Sequence, residues 1–208
     1  MAYAINTKGE VLSGWPKFTD YDFESAPALT DLNKDGKAEV IAIGRRFSTI
    51  NTNNEEYKLF ITNVEGQVLE QWAIHNPGKN GPIIANVDNN PDMEILVSFG
   101  TPCTTPNGFC TLKQGVTAYK QNGTSVVGFP KYTDNGVISA PIVEDIDGNG
   151  VQELIVTSMA DADIYAPDPV YKNRISVYAW ELNQNNTPNA WPKYLKDSNR
   201  TGKLDLNR

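Results

Sequence analysis

Apolar residues in this chain come in short runs and never in a long stripe. Val40-Ile41-Ala42-Ile43, Leu59-Phe60-Ile61, Ile83-Ile84-Ala85, Ile95-Leu96-Val97, Val116-Thr117-Ala118-Tyr119 and Leu154-Ile155-Val156 are typical, and Gly, Pro, Asn and Asp crowd the gaps between them. The runs are rich in β-branched residues, and no stretch sustains a helical period. Short runs of this kind between turn residues predict strands, so the chain reads as all-β.

The pattern repeats. Ser25 to Gly44 reads SAPALTDLNKDGKAEVIAIG, Asn80 to Gly100 reads NGPIIANVDNNPDMEILVSFG, and Ser139 to Ser158 reads SAPIVEDIDGNGVQELIVTS. Each copy is a short apolar strand, an oxygen-rich loop and a second apolar strand. A second element alternates with it: YAINTKGEVLSGWPKF from Tyr3, LFITNVEGQVLEQW from Leu59, VTAYKQNGTSVVGFPKY from Val116 and ISVYAWELNQNNTPNAWPKY from Ile175. Lys8-Gly9, Glu65-Gly66 and Asn122-Gly123 are hairpin signals, and their glycines fall 57 residues apart. One unit is thus two strands around a polar loop followed by a hairpin. Four short antiparallel strands in a unit of this length match a propeller blade. The predicted division is a half blade over 1–19, blades over 24–73, 79–132 and 138–195, and the start of a further repeat over 196–208. A half blade and three blades do not close a ring. The expected partners are therefore the remaining blades of a longer chain, or a second copy, since an open arc leaves strand edges exposed.

The loops carry the candidate chemistry. Asp31, Asn33 and Asp35 stand at alternate positions, Gly36 permits a turn, Lys37 offers a carbonyl and Glu39 closes the loop. Calcium takes six to eight hard oxygen ligands, and this order of side chains, carbonyl and late carboxylate supplies them. The third copy keeps the order with Asp145, Asp147, Asn149, Val151 and Glu153. The second has Asn86, Asp88, Asn90, Asp92 and Glu94, with Pro91 in place of glycine. Fewer anionic ligands weaken binding, so two strong calcium sites and a weak or empty second one are expected. Turn formation alone also explains Asp, Asn and Gly between strands, but three loops in register favour the ion. An EF-hand requires a ligand at position 12 and flanking helices. Here β-rich sequence follows Glu39, and the helix that would follow a dockerin loop is missing too.

These residues resemble FG-GAP/VCBS repeats. The resemblance rests on SAP-x-x-x-D-x-[DN]-x-[DN]-G-x-x-E, followed by YAW or TAY and then GWPK, and it covers nearly the whole chain. It implies calcium-binding, four-stranded antiparallel blades, part of an integrin-α-like seven-bladed propeller. It also implies that ligands meet the face opposite the calcium loops. The long segments 45–57, 101–115 and 159–174 reach that same face, and variable loops on a rigid frame are where binding usually sits. Its candidate residues are Arg45, Arg46, Phe47, Tyr57, Phe109, Tyr165 and Tyr171, with Tyr21 and Phe23 from an inter-blade link. Trp15, Trp72 and Trp191 keep one register at strand ends, which fits packing between blades better than sugar stacking.

Net charge is −7 at neutral pH, which argues against nucleic-acid binding. No apolar run is long enough to span a membrane, and the opening MAYAINTKGE lacks the layout of a signal peptide. Cys103 and Cys110 close a short turn-rich loop and predict a disulfide, hence an oxidising, extracellular or cell-surface setting; two free thiols are the alternative. His75 stands alone, so neither a zinc site nor a Ser-His-Asp set is expected. The favoured expectation is a non-enzymatic extracellular calcium-binding scaffold for adhesion or recognition of a protein or glycan. A propeller domain of a secreted polysaccharide-processing enzyme, or a structural building block of a surface assembly, are the alternatives.

Overall fold

A computed structural model describes residues 2–16, 20–47, 55–88, 90–100, 113–134, 136–137, 139–160 and 174–182. Those residues are all-β: thirteen strands in three antiparallel sheets, with no helix among them. The first sheet holds β1 (Asp22–Phe23), β2 (Ala28–Thr30), β3 (Glu39–Phe47), β4 (Glu55–Thr62) and β5 (Val68–Ile74). β1 and β2 lie along the same edge of β3, with Phe23 opposite Gly44 and Ala28 opposite Ile41. They are one edge strand interrupted at Ser25-Ala26-Pro27. Proline has no N–H to give a ladder, so it is tolerated at such an edge break.

The second sheet is built the same way from β6 (Ile83–Ala85), β7 (Glu94–Phe99), β8 (Gln114–Tyr119) and β9 (Lys131–Thr133). Pro77 bridges Phe99 where β1 bridges β3. In the third sheet β10 (Gly136–Val137) and β11 (Ile142–Glu144) share one edge of β12 (Gln152–Ala160), and β13 (Arg174–Leu182) takes the other. The chain order of strands is therefore also their order across each sheet. The Asn-Gly and Glu-Gly turns bend as their glycines require, with Gly66 at φ 70° and Gly123 at φ 79°.

The sheets stack on one another through period-two alternation. Ile41, Ile43, Leu59 and Ile61 of the first sheet meet Ile84, Ile95 and Val97 of the second. The other face of the second sheet, with Ile83, Leu96, Val116 and Ala118, meets Val143, Leu154 and Val156 of the third. A sheet covered on both faces needs apolar residues at consecutive positions. This is why Ile83-Ile84 and Ile95-Leu96-Val97 show no polar alternation. Burying one such side chain contributes about 1.5–3 kcal/mol.

Two contacts fix the stacking distance. At Gly81 an added Cβ would lie 2.0 Å from the Ala26 carbonyl oxygen, so the first and second sheets touch backbone to backbone there. Trp72 lies against Gly123 and, at 5.7 Å between ring centroids, against Tyr119 of the second sheet. Trp15 makes the matching link one unit earlier, its indole N–H donating to the Val64 carbonyl at 2.8 Å. Trp191 lies outside the described residues.

Candidate metal centre

The third loop, between β11 and β12, is the clearest candidate site. Gly148 and Gly150, at φ 77° and 89°, turn the backbone back on itself. The Asp145 carboxylate accepts the N–H of Gly148 at 2.7 Å and of Gly150 at 3.0 Å. Asp147 accepts from Asn149, whose side-chain oxygen in turn accepts from Val151. Glu153, buried at the start of β12, reaches back so that Oε2 takes the Ile146 N–H at 3.0 Å. Its Oε1 is buried with no hydrogen-bond partner.

Asp145, Asp147 and Glu153 each place a carboxylate oxygen within 4.8 Å of the other two. Like charges at that spacing repel by about 3 kcal/mol per pair at an effective dielectric of 20. A cation among them converts the repulsion into attraction and gives the orphaned Glu153 oxygen a partner. The donors are all hard oxygens, which suits Ca²⁺ or Mg²⁺ rather than a thiophilic ion. The residues therefore fit a divalent cation held by Asp145, Asp147 and Glu153.

The other loops share the framework. The N–H after the first ligand position donates to the closing glutamate in all three: Leu32 to Glu39 and Val87 to Glu94 at 2.8 Å, as Ile146 does to Glu153. The fifth position donates to the third, Asp35 to Asn33 and Asn90 to Asp88 at 2.9 Å. The seventh donates to the fifth, Lys37 to Asp35 at 2.8 Å and Asp92 to Asn90 at 2.7 Å. The first loop follows the backbone path of the third closely. Lys34 at φ 63° stands where Gly148 does, Gly36 at φ 87° matches Gly150, and the Gly36 N–H donates to Asp31 at 2.9 Å. Among the described residues, however, only the third loop gathers three acidic groups so tightly; Asp31, Asp35 and Glu39 are not drawn together in the same way.

The second loop departs for a covalent reason. Pro91 occupies the position of Gly36 and Gly150, where a fixed φ near −65° forbids the left-handed turn and the missing N–H removes a donor. The Asn86 amide donates to the Asn90 carbonyl instead. Two lysines approach from outside the loop: Lys34 Nζ lies 2.7 Å from Asp92, and Lys120 Nζ lies 3.7 Å from Asp88. Glu94 Oε1 is buried without a hydrogen-bond partner, and burial pushes this carboxyl up to about 7. Burial also raises Glu39.

The opposite ends of the strands hold the proposed ligand face. Arg45 pairs with Glu24 and, at 3.8 Å, with Glu55, and its guanidinium lies 4.1 Å from the centre of the exposed Phe47 ring. Arg46 pairs with Glu56. Tyr57 is half-buried against the core and its hydroxyl donates to Glu55. Tyr21 belongs to the core rather than to a binding surface: it is buried and packs edge-on against Phe60 at 5.2 Å. Phe23 packs on the same ring. A cleft of about 360 Å³ opens beside Arg45 and Tyr57, lined also by Glu24, Ser25, Lys79 and Asn80. Phe109, Tyr165, Tyr171, Cys103 and Cys110 lie outside the described residues, and His75 is exposed.

Sequence reasoning passed over Ser25 and Asn80, although they are equivalent positions of the SAP and NGP motifs and so carried a signal. It also passed over Lys34 and Lys120 beside the second loop, whose reach across the chain leaves no local pattern. Comparison of the chain with family models, with characterised proteins and with solved structures returns no match.

Proposed function

We propose that this chain is a calcium-binding propeller scaffold of the FG-GAP/VCBS kind, non-enzymatic, working outside the cell or at its surface in the recognition of a protein or glycan. The observation that carries the reading is the third loop: three carboxylates within 4.8 Å of one another, one with a buried oxygen that lacks a partner. The shared hydrogen-bond framework extends the argument to the first loop, where Asp31, Asn33, Asp35 and Glu39 present the same ligand order. The second loop, with proline in its turn and lysines on Asp88 and Asp92, is read as weak or empty. Calcium in this reading is structural. It fixes the connection between the first two strands of each unit and stabilises by binding only the folded form. The cleft beside Arg45 and Tyr57 is the place where a ligand fits, on loops held by rigid sheets.

Calorimetric titration with Ca²⁺ of chelator-treated protein tests the metal reading. Glu153→Gln and Asp145→Asn are expected each to weaken the tightest site by tenfold or more, while Asp88→Asn leaves the titration unchanged. No heat of binding at calcium concentrations of about 10⁻³ M, where extracellular modules are loaded, overturns it. A screen of glycans and proteins against the loaded chain, repeated with Arg45→Ala, tests the recognition reading. A ligand turned over into product contradicts it.

A further inference from the structure

One place just outside each loop changes charge from unit to unit. One step beyond the pairs Val40–Thr62 and Ile95–Tyr119, Asn63 stands opposite Glu39 and Lys120 opposite Glu94; Glu153 pairs directly with Glu181. Asn63, Lys120 and Glu181 are thus one position of the repeat, the residue on the next strand that faces the closing glutamate. It is neutral in the first unit, positive in the second and negative in the third. Side chains directly opposite in an antiparallel pair share a face, with Cβ atoms about 4.5–5.5 Å apart. The Lys120 ammonium lies 3.7 Å from the Asp88 carboxylate and so reaches the ligand positions of the second loop. Glu181 is exposed, and among the described residues no cation is paired with it. Like charges directly opposite destabilise a strand pair, so the Glu153–Glu181 pair is favourable only with a cation beside it.

We propose that this cross-strand position grades the calcium affinity of the three loops from outside the ligand set: Glu181 strengthens the third site, Asn63 leaves the first intermediate, and Lys120 suppresses the second. The proposal rests on the calcium reading of the loops and adds to it what sets their order. A calcium ion carries two charges, so a charge one strand away raises or lowers its binding by Coulomb attraction or repulsion while every ligand stays the same. At the third loop the ion meets a fourth carboxylate in addition to Asp145, Asp147 and the buried, unpartnered oxygen of Glu153. At the second loop Lys120 is an internal cation that already answers Asp88, as Lys34 answers Asp92 at 2.7 Å. The first loop has no charge at this position and carries Lys34 and Lys37 among its own residues, which sets it below the third. Pro91 and the amides of the second loop weaken its ligand set; the charges at 120 and 181 act independently of that set and can be exchanged without touching a ligand.

The experiment exchanges these charges and titrates the chelator-treated full chain with Ca²⁺ by calorimetry, at salt of about 0.1 M and about 1 M, where charges are screened over about 10 Å and about 3 Å. Glu181→Lys is expected to weaken the tightest site by about tenfold or more at the lower salt, Glu181→Gln by about threefold, and both differences to shrink at the higher. Lys120→Glu is expected to add a calcium-binding event that Asp88→Asn in the same chain removes. Lys120→Asn, which copies the first unit, takes its place if Lys120→Glu loses its β circular-dichroism spectrum. A parent chain that takes up calcium while Glu181→Lys titrates as the parent does overturns the proposal and leaves the calcium reading standing. Equal weakening by Glu181→Lys and Glu181→Gln at both salts overturns it too, because Glu181 would then be a ligand or a support of the fold rather than a remote charge. So does a folded Lys120 variant that gains no calcium. A parent chain that takes up none removes the calcium reading and this proposal with it.

Discussion

Glu94 lets the electrostatics of a buried loop be read as stability. Its carboxyl is nearly inaccessible, one oxygen takes the Val87 N–H at 2.8 Å, and the other has no hydrogen-bond partner. Burial raises its folded pKa from 4.5 to about 7, outweighing the Val87 bond and the nearby Lys120 ammonium, which lower it. A folded state that holds the proton more tightly than the unfolded state loses stability as pH climbs. The loss begins near the unfolded value and is complete above the folded one. Each pKa unit is 1.36 kcal/mol, so the metal-free chain loses about 3 kcal/mol through this residue between pH 4.5 and pH 8. Glu94→Gln keeps an acceptor for the Val87 N–H and removes the charge. In chelator the variant is expected to match the parent near pH 4.5 and to exceed it by about 2–3 kcal/mol at pH 8. Urea unfolding followed by tryptophan fluorescence at several pH values measures the difference. Parallel loss of stability in the two proteins, or a variant weaker than the parent at pH 8, refutes the reasoning.

Two further substitutions probe the stacking of the sheets. Leu96→Ala opens a cavity in the fully buried layer between the second and third sheets and is expected to cost about 2–5 kcal/mol of unfolding free energy, measurable as a drop in urea midpoint; a loss below about 1 kcal/mol would mean the layer repacks. Gly81→Ala places a methyl 2.0 Å from the Ala26 carbonyl oxygen, with backbone on both sides and no flexible side chain to yield. It is expected to lower the thermal midpoint by several degrees, and an unchanged midpoint would show that the two sheets separate there without cost.

The loops were legible because ligand spacing is local. Asp145, Asp147 and Glu153 sit within nine residues, so the turn that gathers them is written in the same stretch that supplies them. Pro91 was legible for the same reason, since a proline at a left-handed position blocks the turn wherever the strands go. The all-β class followed from short β-branched runs. What stayed hidden depends on contacts distant in sequence. Lys34 meets Asp92 58 positions away, and nothing near either residue announces it. Asp22-Phe23 read as a link between units because two residues are too few for an alternating pattern; only pairing with Gly44 and Arg45 makes them a strand. Tyr21 looked available for binding because an aromatic in a link has no periodicity to assign its face. Its burial comes from Phe60, brought alongside by β3 and β4.

Among the described residues the second sheet belongs to both apolar layers, while the first and third each belong to one. That asymmetry sets the order in which the molecule comes apart. Either outer sheet can peel away and leave one layer intact; loss of the middle sheet dissolves both at once. Opening therefore starts at the outer sheets, and amide protons of Ile95, Leu96 and Val97 exchange only when nearly everything else has gone. A protein of this build records damage by position: a weakened end sheet yields a shorter stack that still holds, whereas the same injury at the centre leaves nothing for the ends to lean on.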